Sequence, residues 1–202
     1  LFLKRIFFQS APISAALFMI SVGNFIILAY TSKFGEPAVA GYGSATRFEQ
    51  ILLLPVLGLN TAIISIVGQN FGANQYLRVK ESYYQAIIYG TLIMVVAGLI
   101  IFLTADKIVS IFTNDVVVIN YGTSYLKISA LIFPAYPIYF ISNGFFMALK
   151  KASYAMNLNI IRNVILPIPT IFFANLTGGS YKNFFWSYCF FNWIFVILLI
   201  TF

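Results

Sequence analysis

Histidine is absent from this chain, and cysteine occurs once, at Cys189 in an aromatic segment. Without histidine there is no Ser/His or Cys/His nucleophile pair, no imidazole metal ligand and no ordinary neutral-pH proton switch. A single cysteine builds neither a disulfide framework nor a thiolate metal site. Charge is scarce as well: charged residues are 8% of the 202, where a soluble domain carries about 25%. No pair of aspartates lies within an apolar run, which speaks against an intramembrane hydrolase. No cofactor is implied.

The chain is instead rich in apolar residues, 61% of the total with 22 Phe and 13 Tyr, and its mean hydropathy is +0.92. This is the composition of a protein whose solvent is the lipid bilayer, with no room for a soluble domain beside the spans. The formal charge of +7 could suggest a nucleic-acid partner. The basic residues, however, fall between apolar runs and do not cluster on one face, so membrane topology explains them better.

About 20 apolar residues cross the hydrocarbon core as a helix. Six windows qualify, at about 12–31, 38–69, 84–105, 125–149, 154–176 and 183–202, and they predict an all-α membrane protein of six transmembrane helices. The second window is too long for a perpendicular crossing, so it is expected to tilt, to kink near Pro55 or to run past the membrane. A loop with a short interfacial helix is expected around Asp106, Lys107, Asn114 and Asp115.

Placing the N-terminal end in the cytoplasm puts Lys4, Arg5, Arg78, Lys80, Lys150 and Lys151 inside. Lys33, Lys107, Lys127 and Lys182 then lie outside. The bias favours a chain that starts and ends on the inner face. The chain opens on Leu1 and stops at Phe202 within an apolar run, with no signal-peptide pattern, and a longer parent protein is expected.

Two charges stand out because they fall within a span. A charge at the centre of a membrane helix costs about 2.5–3.5 kcal/mol on insertion scales, so such residues face a cavity or a partner. Arg47 and Glu49 are two residues apart, roughly 200° around a helix, and do not automatically pair. On a straight helix Glu49, Val56 and Asn60 would share one stripe. Glu49 is the one carboxylate expected inside the membrane, and a desolvated carboxylate can exchange a proton for sodium or for a cationic compound. Arg162 also lies in a span and is expected to snorkel to the cytoplasmic face.

The wording of the second span resembles the multidrug and toxic compound extrusion (MATE) transporters. The resemblance rests on Gly41-Tyr42-Gly43, Arg47-Phe48-Glu49-Gln50, Leu53-Leu54-Pro55, Gly58-Leu59 and Tyr76. The run Val67-Gly68-Gln69-Asn70-Phe71-Gly72-Ala73 is the most specific part. Tyr125-Leu126, Pro134, Gly144 and Lys150-Lys151 fall where that family has its tenth helix and following loop, and the stretch from Asn157 to Pro169 resembles its eleventh.

The resemblance implies the C-terminal half, helices seven to twelve, of a twelve-helix transporter of two six-helix lobes around a central cavity. Its implied partners are the lipid bilayer, a small organic substrate and the N-terminal lobe of the same polypeptide. Its implied setting is a bacterial inner membrane, multi-pass. The family exports organic, often cationic, compounds by alternating access, driven by sodium or proton entry. A lipid-linked oligosaccharide flippase of the same wider superfamily is the alternative.

Some members carry coupling carboxylates in the seventh and tenth helices. The corresponding positions here are near Ile20 and Tyr136, and neither span holds a carboxylate, so that ion site does not carry over. Other members place the coupling carboxylate in the first helix, outside this chain. The candidate cavity residues are accordingly Arg47, Glu49 and Gln50, with Asn24, Asn60, Tyr136, Tyr139 and Asn143. Arg47 is expected to position a carboxylate of the other lobe. Pro55, Gly58, Gly68, Gln69, Asn70 and Gly72 are expected to shape span 2 and its turn.

Overall fold

The computed structural model describes the backbone of residues 2–201 and the side chains from Ser14 onward, residues 16, 17 and 202 excepted. Lys4, Arg5 and the start of the first expected span lie outside the described side chains. The described residues form helices joined by short turns, with no strand among them. The reason is the solvent: lipid offers no hydrogen bond to a free backbone group, and a helix satisfies its own.

Helix α1 (Phe2–Thr31) ends in a 3₁₀ turn, Ser32–Phe34, closed by Gly35 at φ 94. The second span is two helices, α2 (Glu36–Leu52) and α3 (Leu54–Gly72), broken at Leu53. Pro55 causes the break, because its ring excludes the carbonyl four residues earlier and it has no N–H to donate. Helix α4 (Tyr76–Ser110) is one uninterrupted 35-residue rod. It carries through Asp106 and Lys107, where a loop was expected: nothing from Phe102 to Ser110 breaks a helix, and Lys107 in the last turn suits the carbonyl end. Asp115 then caps α5 (Val116–Ser129), its carboxylate accepting from the Val117 and Val118 N–H groups at 2.8 and 3.4 Å.

The fourth span is also divided. An irregular turn from Ala130 to Pro134 separates α5 from α6 (Ala135–Ala148). After the basic turn at Lys150 come α7 (Ala152–Ile160), a π-helical turn (Ile161–Ile165), α8 (Pro167–Leu176) and α9 (Tyr181–Thr201). Among the described residues, four runs are apolar and long enough to cross a bilayer by themselves: α3, α4, the stretch Ala152–Leu176, and α9.

Much of the outside of the protein is apolar. Ile88, Leu92, Val96, Leu99 and Leu103 recur every three or four residues on α4 and are all exposed, while Ala86, Gly90, Met94 and Ile101 on its other side are buried. That exposed stripe is a lipid-facing surface.

Helices α2 and α3 pack against α5 and α6, with α4 along both; α1 lies on α7 and the π turn, and α8 on α9. The α2–α5 crossing is backbone on backbone. A Cβ on Gly41 would stand 2.6 Å from the Val118 carbonyl oxygen and 2.8 Å from the Gly122 nitrogen, so only glycine fits.

Candidate functional site

The site begins with Glu49, on the last full turn of α2 before the break. At 1.5 Å per residue it is about 20 Å from the start of α2 and farther still from the end of α3. It is therefore deep in the span and only 6% exposed. A carboxylate stripped of water needs donors, and three hydroxyls supply them. Tyr125 and Ser129 stand four residues apart on one face of α5 and donate to Oε2 at 2.6 and 3.1 Å. Tyr136, on the first turn of α6, donates to Oε1.

The irregular turn makes this possible. On a continuous helix Tyr136 would follow Ser129 by seven residues, about two turns or 10 Å along the axis. The turn between them, closed by Ile132 and Phe133 N–H groups on the Ser129 carbonyl at 2.7 and 3.2 Å, brings all three hydroxyls to one carboxylate. Behind them Tyr42 and Phe185 close an aromatic wall, both rings edge-on to Tyr125 with centroids 4.9 and 4.8 Å away.

Arg162 forms the second half of the site. Pro167 cannot donate to the carbonyl of Asn163, and the helix adjusts by one widened turn in which Leu166 N–H donates to the Ile161 carbonyl at 2.8 Å. Arg162 sits on that turn, 9% exposed, midway along its span. It does not snorkel to the cytoplasmic face as expected. Its guanidinium carbon lies 4.1, 5.1 and 5.7 Å from the ring centres of Tyr139, Tyr136 and Phe140, and Nε donates to Asn192 Oδ1 at 3.4 Å. The π faces supply the stabilisation that water would have given.

Glu49 and Arg162 border one cavity of about 590 Å³, with Asn24, Arg47, Gln50 and Asn163 also on its wall. Arg47 and Gln50 are exposed there, while Glu49 points into the helix packing, as their angular separation on α2 requires. Tyr136 has its hydroxyl on Glu49 and its ring beside Arg162, so it stands between the two charges.

The other expected residues lie elsewhere. Tyr139 backs Arg162 and donates to Asn159 Oδ1 at 2.7 Å. Asn143 holds α6 to α7 through the Ala155 carbonyl at 3.3 Å. Asn60 does not line the cavity that Glu49 borders. Its side chain lies against Gly144, where a Cβ would overlap it. Pro55 and Gly58 are exposed on α3. Gln69 and Asn70 receive the Ala73 and Gln75 N–H groups on their carbonyls at 3.0 and 2.8 Å, which closes the turn after Gly72, while Gly68 has open space at its Cα.

Tyr125 and Ser129 were not foreseen as site residues. Their spacing of four on one helix face was the available signal, but which helix they face is a tertiary fact. Asn192 on α9 gave no signal at all.

Helices apolar and long enough to span a membrane, around a cavity with opposite charges at its wall, fit a membrane transport protein. The MatE family model matches residues 12–173, and the chain belongs to that family, whose members are transporters and not enzymes. It is 26% identical over 180 residues to the multidrug export protein MepA of Staphylococcus saprophyticus, covering 87% of this chain and 40% of the relative. It is 24% identical over 158 residues to an FAD transporter of Shewanella oneidensis, covering 78% and 35%. A solved MATE structure in complex with MaL6 superposes with a TM-score of 0.90 at 21% identity, over 97% of this chain and 45% of that one. The chain thus spans less than half the length of the relatives it matches.

Proposed function

We propose that the chain is the C-terminal lobe of an ion-coupled exporter of organic compounds, seated in a bacterial plasma membrane and working by alternating access against an N-terminal lobe. The observation that carries this reading is the Glu49 carboxylate, buried under three hydroxyls at the edge of a cavity of about 590 Å³. Five oxygens from three helices form a hard, oxygen-only donor set. Such a set suits a proton or a sodium ion and offers nothing to a soft metal. The cavity volume falls in the range of about 300–1,000 Å³ that holds a drug-sized molecule.

The exchange follows from competition. An ion on Glu49 reorganises the hydroxyls of Tyr125, Ser129 and Tyr136, and Tyr136 is also the wall that flanks Arg162. Ion occupancy and the shape of the cargo wall are thereby coupled through one side chain. Coupling requires such differential contact in the two states.

The test uses the full-length parent in proteoliposomes, loaded with an organic dye and driven by an imposed sodium or proton gradient. The expected result is efflux driven by one of the two, lost in Glu49→Gln. Efflux by Glu49→Gln with unchanged ion dependence would contradict the role given to Glu49. Absence of gradient-driven efflux in the wild type would contradict the export reading itself.

A further inference from the structure

The resemblance to the family leads one to expect a cationic cargo, yet the wall of this cavity carries two guanidiniums and one carboxylate, Arg47 and Arg162 against Glu49. Both oxygens of that carboxylate are already taken by Tyr125, Ser129 and Tyr136. Two aromatic rings of the wall are also occupied: Tyr136 and Phe140, with Tyr139 behind the wall, surround the protein's own guanidinium. An ammonium entering here would meet a filled cage and two like charges.

An oxyanion would meet the opposite. Arg162 is buried, spends its Nε on the neutral Asn192 side chain, and has no carboxylate beside it on the cavity wall, because Tyr136 separates it from Glu49. A desolvated guanidinium presents a planar fork that matches carboxylate or phosphate oxygens. Arg47 stands exposed on the same wall, and Asn24 and Gln50 add amide donors. Tyr42, Phe185 and Tyr188 supply apolar area for a ring system.

We infer that this lobe recognises an oxyanion, carboxylate or phosphate, carried on an aromatic compound, with Arg162 as its anchor and Arg47 as the steering charge at the opening. The inference rests on the export reading for its setting, but it concerns binding and is tested without a gradient.

The experiment measures equilibrium binding to the purified full-length parent with matched fluorescent pairs. Riboflavin 5′-phosphate and riboflavin differ by a phosphate, and fluorescein and its methyl ester by a carboxylate. Rhodamine 123, a cation on the fluorescein-like ring system, is the third probe type. The wild type is expected to bind the member of at least one pair that carries the phosphate or carboxylate about tenfold or more tightly than the partner that lacks it, with rhodamine 123 weakest. Preference within the first pair alone identifies phosphate as the group read, and within the second alone carboxylate.

Arg162→Gln should erase the preference while leaving in place the affinity for the member that lacks the phosphate or carboxylate, and Arg162→Lys should retain part of it. Arg47→Gln, at an exposed position, should weaken the oxyanion member and reduce its salt dependence. Equal affinity within both pairs, or preference for rhodamine 123, overturns the inference even if Arg162→Gln fails to fold. A loss of all probes alike in Arg162→Gln also overturns it, since that marks a structural residue. Selective oxyanion binding without gradient-driven efflux would contradict the export reading and leave this inference standing.

Discussion

At the scale of residues, what each polar group in the membrane touches decides its role. Glu49 was legible in the sequence because a carboxylate in the middle of an apolar run has to be explained. Its partners were not, since Tyr125, Ser129 and Tyr136 converge only through the turn between α5 and α6. Arg162 was legible as a charge but not as a buried one: nothing in the spacing of residues says that three aromatic rings from α6 will enclose it. The distinction between site and packing residues is testable. Tyr136→Phe keeps the ring beside Arg162 and removes one donor to Glu49. A hydrogen bond to a charged group is worth about 1.5–3 kcal/mol, so the half-saturating concentration of the coupling ion should move about tenfold or more. Asn143→Ala removes a bond to the Ala155 carbonyl outside the cavity. It should cost about 0.5–1.5 kcal/mol of stability and leave ion dependence unchanged. Ion titration of efflux and denaturant unfolding of the full-length protein check the two halves.

At the scale of elements, breaks in helices position the chemistry. Pro55 ends α2 just after Glu49, the turn before Ala135 brings Tyr136 round to meet it, and Pro167 forces the widened turn that carries Arg162. The prolines could be read in advance; the hand and extent of each bend could not, because they depend on which neighbours satisfy the freed carbonyls. The same limit applied to the glycines of Gly41-Tyr42-Gly43. Gly41 is the contact of two backbones at the α2–α5 crossing, whereas a Cβ on Gly43 meets nothing within 4 Å. Gly41→Ala should therefore destabilise the protein by about 1–3 kcal/mol through overpacking. Gly43→Ala should be neutral, or stabilising by up to about 1 kcal/mol from helix propensity. Unfolding midpoints of the two variants decide it, and similar losses in both would mean that Gly43 has a close neighbour in the whole protein.

At the scale of the whole molecule, the class was the most legible feature and the ligand the least. Scarce charge, absent histidine and six apolar windows lead to a helical membrane protein on solvent physics alone, and the run from Val67 to Ala73 narrows the family. Charge polarity of the cavity could not be read, because it depends on whether Arg47, Glu49 and Arg162 cancel or stand apart. Tyr136 holds the two buried charges apart. The central claim is that the ion exchanges at Glu49. The most direct measurement is the infrared difference spectrum of the full-length protein in lipid as the coupling ion is exchanged, in wild type and in Glu49→Gln. The account predicts a carboxyl signal that moves with the ion and disappears in Glu49→Gln. The same difference spectrum in both proteins would place the exchanging carboxylate elsewhere and contradict it.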